Sequence, residues 1–247
     1  MTETKKFDWK LTIKMNISLM KAGGLWPSGN DSYDLNFYAL YASVLLTLFL
    51  LGHVFFQFVH VFHTLDDLQA VTGTSFILLT EMLIILKTYY LIKNMGMLKQ
   101  LMLTLDNELF QPKSIEQMLL VEPSLTFWKR IYKMFWSMAM GATFFWSIFP
   151  ILDNSFQDYR LPFFAWYPYN TQTSPLYEVT YVYQILCICF DSLVAIGIDT
   201  LIAALNMYTG TQFDLLCDDL RNLHDPEERD VSKKLIACIR RHKEILK

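Results

Sequence analysis

Charge is scarce in this chain. Of 247 residues, 18% are Asp, Glu, Lys or Arg, against 53% that are hydrophobic, and mean hydropathy is +0.26. That balance excludes an ordinary soluble domain. No apolar core of leader length occurs before Tyr33, so the N-terminus is not a secretory signal peptide. Cysteine is absent until Cys187. It is followed only by Cys189, Cys217 and Cys238, with no paired pattern and no histidine to complete a zinc site. Cys187 and Cys189, two apart in an apolar run, point to different helix faces and cannot readily pair. No P-loop, nucleophile motif or Gly-rich phosphate cradle is present, which argues against an enzyme. The net charge of −3 is segregated by position, and no nucleic-acid partner is expected.

What is present is four long apolar runs. They cover about Leu35 to Phe58, Leu68 to Ile92, Ile131 to Leu152 and Leu176 to Met207. Each supplies the roughly 20 residues that a ~30 Å hydrocarbon core requires. Helices are the form in which isolated segments satisfy their backbone in lipid. The expected fold is therefore all-α, a polytopic membrane helical bundle. Between the second and third runs, LKQLMLTLDNELF and IEQMLL keep helical spacing. They read as extensions of those helices, broken at Pro112 and Pro123. The tail from Gln212 to Lys247 reads as two amphipathic pieces broken around His224-Asp-Pro-Glu-Glu.

Basic residues orient the spans. The first tail, the connection from Lys93 to Arg130 and the last tail hold the Lys and Arg. Of those in connections Arg160 alone falls on the other side, with Lys87 and Lys133 inside helix ends. The positive-inside rule then puts the N-terminus, and the tail 208–247, in the cytosol. It also leaves the sequons at Asn16 and Asn30 on the cytosolic side and unglycosylated. The tail stops inside a basic amphipathic pattern, so a further span is expected and the sequence reads as a fragment.

The connection at 153–175 is extracellular on this topology, and contains RLPFFAWYPYNTQTSP. Pro162, Pro168 and Pro175 stiffen it. Trp166, Tyr167 and Tyr169 can bury their rings and keep a polar tip wet. A lid over a pocket between helices and an aromatic belt at headgroup depth both fit that composition.

These residues carry a resemblance. LPFFAWYPYNTQTSPLYEVTYVYQ, together with Ala22-Gly-Gly-Leu-Trp-Pro before the first span, resembles the insect odorant receptors. The resemblance implies seven spans, of which four are present here. It implies a plasma-membrane subunit of olfactory sensory neurons that binds a volatile hydrophobic ligand and gates a cation channel with a co-receptor. The pore helix would lie beyond this chain, which is expected to be the ligand-tuned subunit rather than the co-receptor. An insect gustatory receptor and a non-receptor four-span scaffold are the alternatives.

A ligand pocket needs apolar walls and a few polar groups. Tyr177, Tyr181, Gln184, Ile188 and Asp191 recur at helical spacing on one face. Phe145, Trp146 and Phe149 lie at comparable depth on the third span, and Thr74, Phe76, Leu79 and Thr80 on the second. Tyr181 and Phe145 are expected to line the site, although helix packing uses the same residue types. Four intramembrane charges, Glu81, Lys87, Asp191 and Asp199, need partners. Lys87 and Asp199 could pair, Lys87 could instead snorkel, and the acids could be water-accessible. His53, His60 and His63 could share a face, but the expectation is wet interfacial rings rather than ligands, with no metal or cofactor bound.

Overall fold

The structure, a computed structural model, describes residues 9, 13–28, 36–105, 107–224 and 231–246. Leu35, the Asn30 sequon and most of the expected break after His224 lie outside the described residues. The elements are α1 (Lys14–Ala22), α2 (Phe37–Leu45), a π-helical segment (Leu46–Leu51), α3 (Gly52–His63), α4 (Leu68–Lys93), α5 (Met95–Thr104), α6 (Ile115–Leu152), α7 (Leu176–Arg221) and α8 (Val231–Ile245), with short 3₁₀ turns at Glu108–Phe110, Ser155–Asp158 and Asn222–His224. Among the described residues four helices are long and apolar enough to cross a membrane: Phe37–His63, Leu68–Lys93, Ile115–Leu152 and Leu176–Arg221. The four expected spans are all there.

Their ends follow from side-chain caps. Asn36 accepts from Ala39 N–H at 2.9 Å and opens α2. Asp67 accepts from Gln69 and Ala70 N–H at 3.0 and 3.2 Å and opens α4. Pro123 does not break α6, contrary to expectation. It forfeits one backbone bond on the exposed Leu119 side, while Val121, Leu125 and Trp128 are buried on the other and hold the helix together. The helix expected to end near Met207 runs on to Arg221, with no proline in it. Thr209 and Thr211 return their hydroxyls to the Leu205 and Met207 carbonyls there.

Residues fall into two units, 1–16, 97–133 and 199–247 in one, and 17–96 and 134–198 in the other. In the first, α8 is held by Arg241, which is 1% exposed. Its guanidinium donates to Asp219 at 3.1 Å and to Gln212 at 2.8 Å. Burial pulls Arg241 below its usual pKa, and Asp219 opposes that pull. Lys113 and Gln117 donate to the same Asp219 carboxylate. Also in this unit, Tyr208 donates to the Trp9 carbonyl at 2.7 Å.

In the second unit, α1 ends in a Schellman turn. Gly24 N–H donates to the Lys21 carbonyl and Leu25 N–H to the Met20 carbonyl, at 3.2 and 2.8 Å. Gly24 has φ +77°. Tyr38 and Tyr41 hydroxyls donate to the Lys21 and Ala22 carbonyls, so the first span seats against this turn. Farther along that span, the Gly52 N–H reaches back to Thr47 rather than Leu48. The Leu48 carbonyl, deprived of that partner, accepts the Tyr183 hydroxyl at 2.8 Å.

Candidate functional site

The second unit holds an open-sided cavity of about 320 Å³ among α4, α6, α7 and the loop that precedes α7. Apolar walls come from Phe76, Ile77, Ile84, Trp146, Ile188 and Ile196, and small residues such as Ala139, Ala142 and Ala195 leave the space. Phe163 closes one side, its ring stacked on Trp146 with centroids 5.9 Å apart and planes at 10°. Thr80, Thr143, Ser192, Glu81 and Asp191 supply polar groups. Thr143 and Ser192 satisfy one another across α6 and α7 at 2.8 Å.

Gln184 fixes the loop. Phe163 N–H donates to its side-chain oxygen at 3.0 Å, and its side-chain nitrogen donates to the Phe163 carbonyl and the Tyr167 hydroxyl, both at 3.1 Å. A primary amide is well matched to this task because it offers a donor and an acceptor together. Burial pushes the Tyr167 phenol well above its usual pKa, so it stays a neutral hydroxyl. Replacing Gln184 by leucine leaves the Phe163 N–H and C=O unpaired, at about 1–3 kcal/mol per buried group. Faster hydrogen exchange confined to 161–168 is the expected result, read by mass spectrometry of the purified receptor.

The same loop overlies the α3 histidines; His53 is buried, against the expectation of a wet ring, whereas His60 is half-buried and His63 stays exposed. His53 meets Phe163 edge-on at 5.8 Å, His60 stacks on Phe164 at 5.9 Å, and His63 stacks on Trp166 at 5.4 Å. Trp166 N–H also donates to the Phe56 carbonyl at 3.0 Å. The stretch is thus joined to α3 and α7 at once.

Behind the cavity lies a buried polar cluster. His53, Glu81 and Asp191 are exposed to 0, 2 and 1%. The expectation of water-accessible acids therefore fails for Glu81 and Asp191, because helices and loop close over them. His53 Nδ1 lies 3.3 Å from Glu81 and 3.6 Å from Asp191. Gln57 donates to both Glu81 oxygens at 2.9 and 3.1 Å. Neither Asp191 oxygen accepts a hydrogen bond from the described residues. One donor atom from each of His53, Glu81 and Asp191 lies within 4.8 Å of the others, so the trio could hold a cation.

Of the residues expected to form a ligand site, Phe76, Thr80, Trp146 and Ile188 line the cavity, and Asp191 and Glu81 join them. Thr74, Leu79, Phe145, Phe149, Tyr177, Tyr181 and Gln184 do not. Tyr181 is committed to the Ser147 carbonyl at 2.7 Å and Tyr177 to the Arg160 carbonyl at 2.8 Å. Thr74 turns its hydroxyl to the Ala70 carbonyl. Leu79, Phe145 and Phe149 are largely exposed. Phe145, one residue before Trp146, is offset from it by about 100° around the helix and does not share its face. Tyr167 is buried, while Trp166 and Tyr169 keep part of their surface free, Tyr169 paired with the Thr180 hydroxyl. Phe163, Gln57 and Thr143 were not foreseen. Only Phe163 carried a signal, as an aromatic between prolines.

The family model of the 7tm odorant receptors matches residues 67–247. This chain belongs to that family. It is a multi-pass membrane protein of a receptor family, not of an enzyme family. Odorant receptor Or1 of Anopheles gambiae is 27% identical over 231 residues, 91% of this chain and 54% of that protein. Odorant receptor 46a, isoform A, of Drosophila melanogaster is 24% identical over 226 residues, 90% of this chain and 58% of that protein. The chain therefore spans somewhat over half the length of these relatives. Among solved structures, the insect olfactory receptor OR5 from Machilis hrabei aligns with a TM-score of 0.80 at 17% identity, covering 97% of this chain and 64% of that one. The same receptor in complex with eugenol gives a TM-score of 0.76 at 18% identity, with the same coverage. At such identity the likeness is one of fold.

Proposed function

We propose that this chain carries the ligand-receiving part of a ligand-tuned odorant receptor subunit, and that the cavity beneath Phe163 takes a small volatile hydrophobic molecule. The observation behind this is the cavity's make-up, aromatic and aliphatic walls with a few polar groups among spanning helices. The fold-related receptor solved with eugenol accords with it. In this reading the loop at 153–175 acts as a lid held by Gln184. The subunit works with a co-receptor in a cation channel of the olfactory-neuron plasma membrane. Its N-terminus is cytosolic, a reading that the distribution of Lys and Arg supports.

The test is current recording from cells co-expressing the co-receptor and this chain at the full length of its relatives, with an odorant panel. Filling the cavity by Ala142→Phe is expected to raise the effective concentration of every active odorant by roughly tenfold or more, since apolar contacts on that scale are lost. Surface staining should not change. Unaltered responses in a surface-expressed Ala142→Phe receptor would place the ligand elsewhere.

A further inference from the structure

We infer that the cavity selects small hydrophobic amines, bound as ammonium ions with Asp191 as the counter-charge. This rests on the cavity being the ligand site, and adds the chemical class of the guest.

Two carboxylates, Glu81 and Asp191, reach a cavity whose lining contains no Lys or Arg. They differ in how they are satisfied. Glu81 receives both of its hydrogen bonds from Gln57. Asp191 is 1% exposed and receives none from the described residues. His53, at 3.6 Å from Asp191, is too far for a good hydrogen bond and lies closer to Glu81. A protonated His53 balances one carboxylate and leaves the trio one negative charge. A buried carboxylate without donors is costly in surroundings of low dielectric constant. A guest bearing one positive charge and several N–H donors removes both deficits at once. Its hydrocarbon part suits the remaining walls, and the stacked Trp146 and Phe163 rings offer negative faces to a cation. A neutral alcohol supplies one donor and no charge, and a hydrocarbon neither.

Phenethylamine, phenethyl alcohol and propylbenzene differ only in the terminal group, and test the inference directly. Two readouts on the full-length receptor are needed, current in cells with the co-receptor and thermal stabilisation of the solubilised receptor. The amine is expected to act at roughly tenfold or lower concentration than the other two, on the scale of a charge-assisted hydrogen bond. Asp191→Asn should abolish that preference, bringing the amine to within about threefold of the alcohol and the hydrocarbon measured on the same variant. Should Asp191→Asn fail to reach the surface, the unmodified receptor's rank order decides, with Asp191→Glu expected to retain the amine preference. Equal or better action of the neutral compounds overturns the amine inference and leaves the odorant cavity standing. Stabilisation by none of the three overturns both.

Discussion

Replacing His53 by alanine is expected to be the most damaging single change in the second unit. It leaves Glu81 and Asp191 facing one another with no cation between them. Both carboxylates are almost wholly buried. Removing one partner of a buried ionic group costs about 3–5 kcal/mol, because the remaining charge stays where it is. On a marginal stability of roughly 5–15 kcal/mol, that suffices to deplete the folded receptor. Surface expression should collapse, and the melting temperature of any solubilised receptor should fall. The compensating change is specific. Glu81→Gln in the His53→Ala background removes one of the two charges and should recover most of the loss. If His53 only fills space, the double variant will be no better than the single one. Fluorescence-detected size exclusion of the parent, the single and the double variant separates these outcomes.

The second large effect concerns Gly24. A Cβ added there would stand 2.8 Å from Ala42 Cα and 2.9 Å from Ala42 Cβ, both inside van der Waals contact. The Ala42 backbone belongs to the first span and cannot step aside like the end of a long side chain. The residue also sits at φ +77°, where an L side chain costs about 1–2 kcal/mol. Overpacking adds about 1–3 kcal/mol, so Gly24→Ala should lose about 2–5 kcal/mol. A shift of α1 away from α2 would relieve the clash, and the Tyr38 and Tyr41 hydrogen bonds to the Lys21 and Ala22 carbonyls would go with it. Ala42→Gly in the Gly24→Ala background should restore part of the loss, leaving the backbone strain and the contact with Ala42 Cα. A melting temperature within a degree or so of the parent would refute this account, since ~1 kcal/mol moves the midpoint of a domain this size by about 2–4 °C.

These two sites show where sequence reasoning stops. The spans were legible because an apolar run of membrane length has few other uses. The Gly-Gly-Leu-Trp-Pro stretch was legible as a motif but not as a turn, since nothing in the string says which glycine is left-handed or what lies over it. The acids at 81 and 191 were visible as costly charges. Their partner was not, because His53 sits on a third helix and tertiary packing alone brings the three together. The stripe through Tyr177, Tyr181 and Gln184 was correct as a helix face, yet loop and α6 backbone carbonyls claim its hydroxyls and amide. Phe163 escaped notice for a different reason. Periodicity ranks residues on helices and is silent about a proline-braced loop, so an aromatic between prolines was visible there but no spacing rule placed its ring at the cavity.

The π-helical turn in the first span has a consequence of its own. The segment works as a phase adjuster between two fixed seats, Ala42 against Gly24 on one side of it and His53 against the acids on the other. Shortening Leu46–Leu51 by a single residue, with both flanks kept helical, turns one seat against the other by about 100°. The side chains could all be retained, and the span would still be long enough for a bilayer. The two halves would no longer fit together, so in this span the count of residues matters as much as their kind.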